Sequence, residues 1–199
     1  MKRVTLRYQR VSDARRFLEI LSHPDFLHFS TKPRSLRQEI IFLRKTLAKR
    51  KKNLAHNFAI LYDGEVVGGA GLKIDQHRKY IGELGYFVDR NHWGKGIAGT
   101  AVRLLEQFAI RKLGIVRLEI VTLLANHASK RVAVKCGYRR EGTQRGKQLH
   151  NGKYHDVDLF AKIRRTSPQR RSHLPTKSDL RSISTRSALN SAGFSNISQ

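Results

Sequence analysis

Ile81-Gly82-Glu83-Leu84-Gly85-Tyr86-Phe87-Val88, followed after a short polar link by Trp93-Gly94-Lys95-Gly96-Ile97-Ala98-Gly99-Thr100, decides the fold. The first eight residues read as a strand. Its period of two puts Glu83, Gly85 and Phe87 on one face and Leu84, Tyr86 and Val88 on the other. From Ile97 to Leu113 the period becomes helical, with Ala101, Val102, Leu105, Phe108 and Ala109 on one stripe and Gly114 placed to end it. A glycine-rich turn between a strand and a helix is suited to an anion. Glycine admits close backbone approach, and the unpaired N–H groups of the first helical turn point along the positive end of the helix dipole.

Several ligands compete for such a turn. A nucleoside-triphosphate loop requires Lys and then Ser/Thr directly after its last glycine, whereas Gly99 is followed by Thr100-Ala101. The dinucleotide pattern G-x-G-x-x-G is met formally by Gly94, Gly96 and Gly99, with Glu119 twenty residues further on. Its context is poor, because five residues separate the strand from the first glycine and Glu119 falls inside its own strand. A purely structural turn is the remaining alternative.

Outward from this unit, Val4 to Tyr8 reads as a first strand, and Ser12 or Asp13 caps a helix presenting Phe17, Ile20 and Leu21 before His23-Pro24. Ser35-Leu36-Arg37-Gln38 marks the start of a second helix whose Leu36, Ile40, Leu43 and Leu47 predict its buried stripe. Its end, residues 44–52, carries six cations, which suits either a helix C-terminus or an anionic partner such as ribosomal RNA. Phe58 to Tyr62 and Glu65 to Leu72 flank Asp63-Gly64, a type I′ hairpin signal. Val116 to Thr122 gives another strand, Asn126 caps a helix reaching Cys136-Gly137, and a closing strand runs through Val157, Leu159 and Ala161. This order predicts an α+β, three-layer α/β/α architecture: a mixed, mostly antiparallel sheet of about six or seven strands flanked by about four helices.

Composition narrows the setting. The 199 residues suit one domain with an appendage, and the net charge is +25. Residues 165–199 hold nine Ser, six Lys/Arg and the single acid Asp179, so this segment carries +5 and residues 1–164 carry +20. The domain is therefore expected over 1–164, with 165–199 a basic, Ser-rich, disordered tail or one bearing a short helix from Asp179 to Leu189. A single cysteine, Cys136, excludes an internal disulfide framework, and the scattered histidines offer no metal-site spacing. No signal peptide or apolar run of membrane-spanning length is visible, so a cytoplasmic protein without metal or membrane contact is expected.

Three segments in order then carry a resemblance. They are Ile81 to Val88, His92-Trp93-Gly94-Lys95-Gly96-Ile97-Ala98, and Asn126-His127-Ala128-Ser129 continuing to Lys135-Cys136-Gly137-Tyr138-Arg139-Arg140-Glu141-Gly142. Over residues 1–164 the chain resembles the GNAT superfamily of acetyl-coenzyme A-dependent N-acetyltransferases, and in it the ribosomal-protein N-terminal acetyltransferase branch. The superfamily's pyrophosphate loop, Arg/Gln-x-x-Gly-x-Gly/Ala, falls on Trp93, Gly96 and Ala98. Trp93 departs from its first position in the manner of that branch.

The resemblance implies acetyl-coenzyme A as cosubstrate, held by Phe87, Val88, Trp93, Gly94, Lys95, Gly96, Ile97, Ala98, Gly99 and Asn126. A free N–H near Phe87 or Val88 is expected to receive the oxyanion. Glu83 matches the family's acidic position and is the expected base for the acceptor amine; a surface Glu paired with arginine is the structural alternative. Many members protonate the departing thiolate with a tyrosine seven residues after the Asn, where this chain has Ala133. Ser129 then becomes the expected donor, although satisfying the first helical turn suffices to explain it. Asn126 likewise needs only to be an N-cap. Cys136 and Tyr138 read as packing residues.

The expected acceptor is a protein N-terminal amine, on a ribosomal or acidic protein. Its pKa of about 7.7 to 8.0 leaves part of it neutral, against about 10.4 for lysine. A small-molecule amine is an alternative acceptor, disfavoured by the +20 field when cationic unless the cleft is locally acidic. A GNAT-like module that binds nucleic acid or the ribosome with weak catalysis is another.

Overall fold

A computed structural model describes residues 3–26, 32–150 and 152–164. The tail assigned to 165–199 lies outside them. In chain order the elements are β1 (Val4–Tyr8), α1 (Ala14–Ser22), α2 (Leu36–Lys51), β2 (Ala55–Tyr62), β3 (Glu65–Ile74), β4 (Ile81–Val88), α3 (Ile97–Leu113), β5 (Arg117–Leu123), α4 (His127–Lys135), β6 (Arg139–His150) and β7 (Lys153–Ile163). One seven-stranded sheet has the order β1-β2-β3-β4-β5-β7-β6. Only the β4–β5 pair is parallel, as the α3 crossover between them requires.

The local signals act as their chemistry dictates. Asp63 and Gly64 both take positive φ, 52° and 87°, which the β2–β3 turn requires. Gly114 adopts φ 68° and closes α3. Ser35 caps α2 by accepting from the Gln38 N–H at 3.3 Å.

Two apolar layers sandwich the sheet. On one face α3 and the end of α4 press Ala101, Val102, Leu105 and Ala133 against Ile60, Leu72, Leu84 and Ile120. On the other, Ala14 and Phe17 of α1 and Leu43 of α2 meet Ala59, with Phe87 packed beside them. Cys136 and Tyr138 are buried in the first layer. Burial raises the Tyr138 phenol well above its ordinary range and pushes the Cys136 thiol up.

Three expectations need correction. Asp13 does not cap α1 with its side chain. Arg7 donates to it at 2.7 and 2.8 Å and the Arg10 N–H at 2.8 Å, so its oxygens are already engaged. On α2 Leu36, Ile40 and Leu43 of the expected stripe pack against the core, whereas Leu47 is 47% exposed and Glu39 and Thr46 are buried beside them, so the helix is turned by part of a residue spacing from its leucine stripe. Finally, β6 has no counterpart in the sequence reading. Arg139-Arg140-Glu141-Gly142-Thr143-Gln144-Arg145 is charged on both faces, as suits a strand at the sheet edge. Register shifts at Arg140/Gly142 and Gln144/Gln148 break its period further.

Of the six cations of residues 44–52, Lys49, Arg50 and Lys51 lie in the last turn of α2, and the Arg50 guanidinium sits 4.1 Å above the Tyr8 ring. No described helix is long and apolar enough to cross a membrane. Among the described residues, no group of three or more His, Cys, Asp or Glu side chains is placed to hold a metal ion.

Candidate active site

β4 and β5 pair only at Ile81↔Arg117, Gly82↔Leu118 and Glu83↔Glu119, then part. On its other side β4 stays bonded to β3 from Gly68↔Val88 to Ile74↔Gly82. The Asp89 N–H donates to the Val67 carbonyl at 2.7 Å and sets the phase of that ladder. Phe87 therefore exchanges its backbone bonds with Gly69, while the N–H groups of Tyr86 and Val88 point to the opening beside β5. Of the two positions expected to offer a free donor, Val88 has it and Phe87 does not.

The loop that follows lies at the same end of β4. Gly94 and Gly96 adopt φ of 76° and 74°, and a Cβ at either would meet nothing within 4 Å. Their backbone faces open space. The N-cap of α3 is Gly96, which has no side chain to satisfy the first turn, so the N–H groups of Ile97, Ala98 and Gly99 are left without intrahelical acceptors. The Thr100 N–H closes the first helical bond to Gly96 at 3.1 Å. This cradle fits a diphosphate: donors converge on open space at a helix N-terminus.

Side chains fix the loop to the strand. The Trp93 indole Nε1 donates to the Val88 carbonyl at 2.6 Å, and its ring meets Phe26 edge-on at 5.9 Å. The Lys95 ammonium donates to the Asn91 carbonyl at 3.0 Å. Asp89, 7% exposed, is ion-paired to Arg16 of α1 and accepts from the Asn91 N–H at 3.1 Å. These bonds hold its carboxyl below the usual carboxylate range against the opposing effect of burial.

Alternation along β4 sends Glu83, Gly85 and Phe87 to the α1/α2 side. There a cavity of about 400 Å³ is lined by residues that include Glu83, Gly85, Phe87, Asn57, Gly71 and Glu39. Glu83 is exposed between Lys73 of β3 and Glu119 of β5. Nearby arginines are engaged elsewhere, Arg117 with Glu119 and Glu141 and Arg78 with Asp75. No ion pair engages Glu83 among the described residues.

On the opposite pleat, the Tyr86 hydroxyl lies 3.0 Å from the Ser129 hydroxyl of α4. Burial pushes the Tyr86 phenol up to about 12, so it keeps its proton at neutral pH. Tyr86 is the residue that sequence reasoning missed. Its alternation was legible but its partner, 43 residues away, was not. The Asn126 side chain accepts from the Ser129 N–H at 3.0 Å, so it is an N-cap. Ala133 is fully buried in the core.

A family model described as the acetyltransferase (GNAT) domain matches residues 3–139. The chain belongs to the GNAT acetyltransferase family. With it the chain is placed among the N-acetyltransferases that use acetyl-coenzyme A. The chain is 26% identical over 168 residues to an uncharacterized N-acetyltransferase, p20, of Bacillus licheniformis, covering 82% of this chain and 94% of that protein. It is 26% identical over 157 residues to the ribosomal-protein-serine acetyltransferase of Escherichia coli K12, covering 78% and 84%. RimL, a ribosomal L7/L12 alpha-N-protein acetyltransferase solved with coenzyme A, matches with a TM-score of 0.74 at 21% identity, over 80% of this chain and 93% of that one. That likeness is one of fold.

Proposed function

We propose that this GNAT enzyme acetylates the N-terminal amine of a protein, ribosomal or acidic, in the cytoplasm, with residues 1–164 as its catalytic domain. The observation that carries the reading is the parting of β4 from β5 after Glu83, next to a glycine loop that meets open space at Gly94 and Gly96 and opens a helix with no side-chain cap. A thioester arm laid in that opening takes the place of a strand. The diphosphate rests on the backbone from Gly94 to Gly99, with Trp93, Lys95 and Asn126 shaping the rim.

The chemistry follows from what faces the opening. The neutral amine attacks the thioester carbonyl carbon, and a C–N bond forms as negative charge grows on the carbonyl oxygen. The Val88 N–H, preset by the β3–β4 ladder, donates to that oxygen; one such donor is worth about 3 to 4 kcal/mol elsewhere. Glu83, unpaired and beside the bare Gly85, takes the amine proton through water. Collapse breaks the C–S bond, and Ser129 passes its hydroxyl proton to the thiolate as it takes that of Tyr86, which then regains a proton from solvent.

The test is thiol release from acetyl-coenzyme A with the tetrapeptide amides of Ser-Ala-Ala-Ala and Ala-Ala-Ala-Ala, against an Nα-blocked peptide bearing a free lysine. Transfer to the free N-termini is expected. Transfer confined to lysine overturns the assignment of the acceptor.

A further inference from the structure

α2 gives an interior position to a carboxylate. Glu39 is 5% exposed, whereas Ile41, Phe42 and Leu47 of the same helix stand 42%, 41% and 47% exposed. A turn of helix that buried leucine in place of glutamate would avoid the cost of desolvating a charge. The N-terminal dipole of α2 favours an acid in its first turn, but an acid on the solvated face of that turn gains the same without losing water. Among the described residues no ion pair engages Glu39. Burial accordingly pushes its carboxyl above its ordinary range.

The carboxylate lines the same cavity as Glu83, Gly85 and Phe87. Lys32 and Lys73 border this cavity as well, the first half-buried and the second exposed. The two carboxylates, Glu39 and Glu83, offset the two lysines in a chain of net charge +25, so an ammonium meets less repulsion here than the whole-chain charge would impose.

Resting on the acceptor assignment above, we propose that Glu39 binds the acceptor's protonated primary amine, holding it in the α1/α2 cavity before it loses its proton near Glu83. An N-terminal amine with a pKa of about 7.7 to 8.0 reaches the cavity mostly as ammonium at neutral pH. The carboxylate, 5% exposed at the cavity wall, has lost most of its water, and an arriving cation supplies the ion pair that it lacks among the described residues. Glu39 is in this account a binding residue for the acceptor, on a different element from the residues assigned to the thioester.

The experiment compares the wild type with Glu39→Gln and Glu39→Leu, using acetyl-coenzyme A and the same two tetrapeptide amides. The peptide KM of Glu39→Gln is expected to rise about tenfold or more, with kcat within about threefold and acetyl-coenzyme A affinity unchanged. Because no ion pair among the described residues compensates the buried charge, both variants are expected to melt at or above the wild-type Tm. A structural role for Glu39 instead predicts a lower Tm in both, and that result overturns the proposal. Unchanged peptide KM in Glu39→Gln, with the wild type active, overturns the inference and leaves the acceptor assignment standing. No transfer by the wild type to either peptide overturns both.

Discussion

The indole Nε1 of Trp93 donates to the backbone carbonyl of Val88 at 2.6 Å, tying the glycine loop to the last residue of β4. Those two residues end the parted strand and begin the proposed phosphate cradle, so one hydrogen bond sets the spacing between the two proposed binding regions. Trp93→Phe keeps a ring against Phe26 but leaves the Val88 carbonyl, in a residue 6% exposed, without its donor. The expected cost is about 1 to 2 kcal/mol. Titration calorimetry is expected to show acetyl-coenzyme A binding weakened roughly tenfold.

Glu83→Gln removes the proposed base without touching the loop. Turnover at neutral pH is expected to fall roughly a hundredfold with acetyl-coenzyme A affinity unchanged. The deficit shrinks as pH rises past about 8, because the acceptor amine then loses its proton to solvent unaided. A pH–rate profile of both proteins reads this directly; a deficit constant across pH counts against a base.

Tyr86 and Ser129 share one hydrogen bond and act as a unit in the proposed proton delivery. Tyr86→Phe and Ser129→Ala are each expected to slow the chemical step roughly tenfold, and the double variant to be little slower than either. Single-turnover rates at saturating peptide measure this. Full additivity separates the two roles.

How much of this was legible depends on whether a local rule or a distant partner decides the residue. The bounds of β4 follow from Ile81 to Val88 alternating, and Asp63-Gly64 specifies its turn within two residues. Glu39 is the opposite case: the helical period finds Leu36, Ile40 and Leu43 on the packed face, but it counts only apolar residues and passes over a buried acid beside them. β6 escaped for a related reason, since Arg139 to Arg145 is polar on both faces and pairs with β7 alone. The Tyr86–Ser129 contact joins residues 43 apart, which no pattern on either segment reports. At the candidate site, the glycine loop and Glu83 were visible as types in a spacing. The choice of Val88 over Phe87 as donor required the phase of the β3–β4 ladder.

Asp158 links α4 to the β6–β7 hairpin. It is 2% exposed and bonded by Arg140 at 2.8 Å, by Lys130 at 2.7 Å and by the Thr143 hydroxyl at 2.8 Å. The Arg140 hydrogen bond first, with those of Lys130 and Thr143, holds its carboxyl well below the usual range. A depressed folded pKa means stability that is present above the ordinary value of about 3.9 and lost as pH falls toward the folded one. Thermal melts of the wild type should therefore lose Tm steadily below about pH 4. Asp158→Asn should melt lower than the wild type at pH 7 and lose less on acidification.

Three residue pairs are all that join β4 to β5, so the sheet carries a strand edge in its interior besides those of β1 and β6 at its rims. The interior edge is shielded from the edge-to-edge association that open rims invite. What it presents, the amides of Tyr86 and Val88, belongs to the main chain that every residue shares. Substitution along β4 changes which side chains face the α1/α2 cavity without erasing those donors. Drift in acceptor preference and retention of the acyl donor are thereby separated: one is written in side chains, the other in backbone.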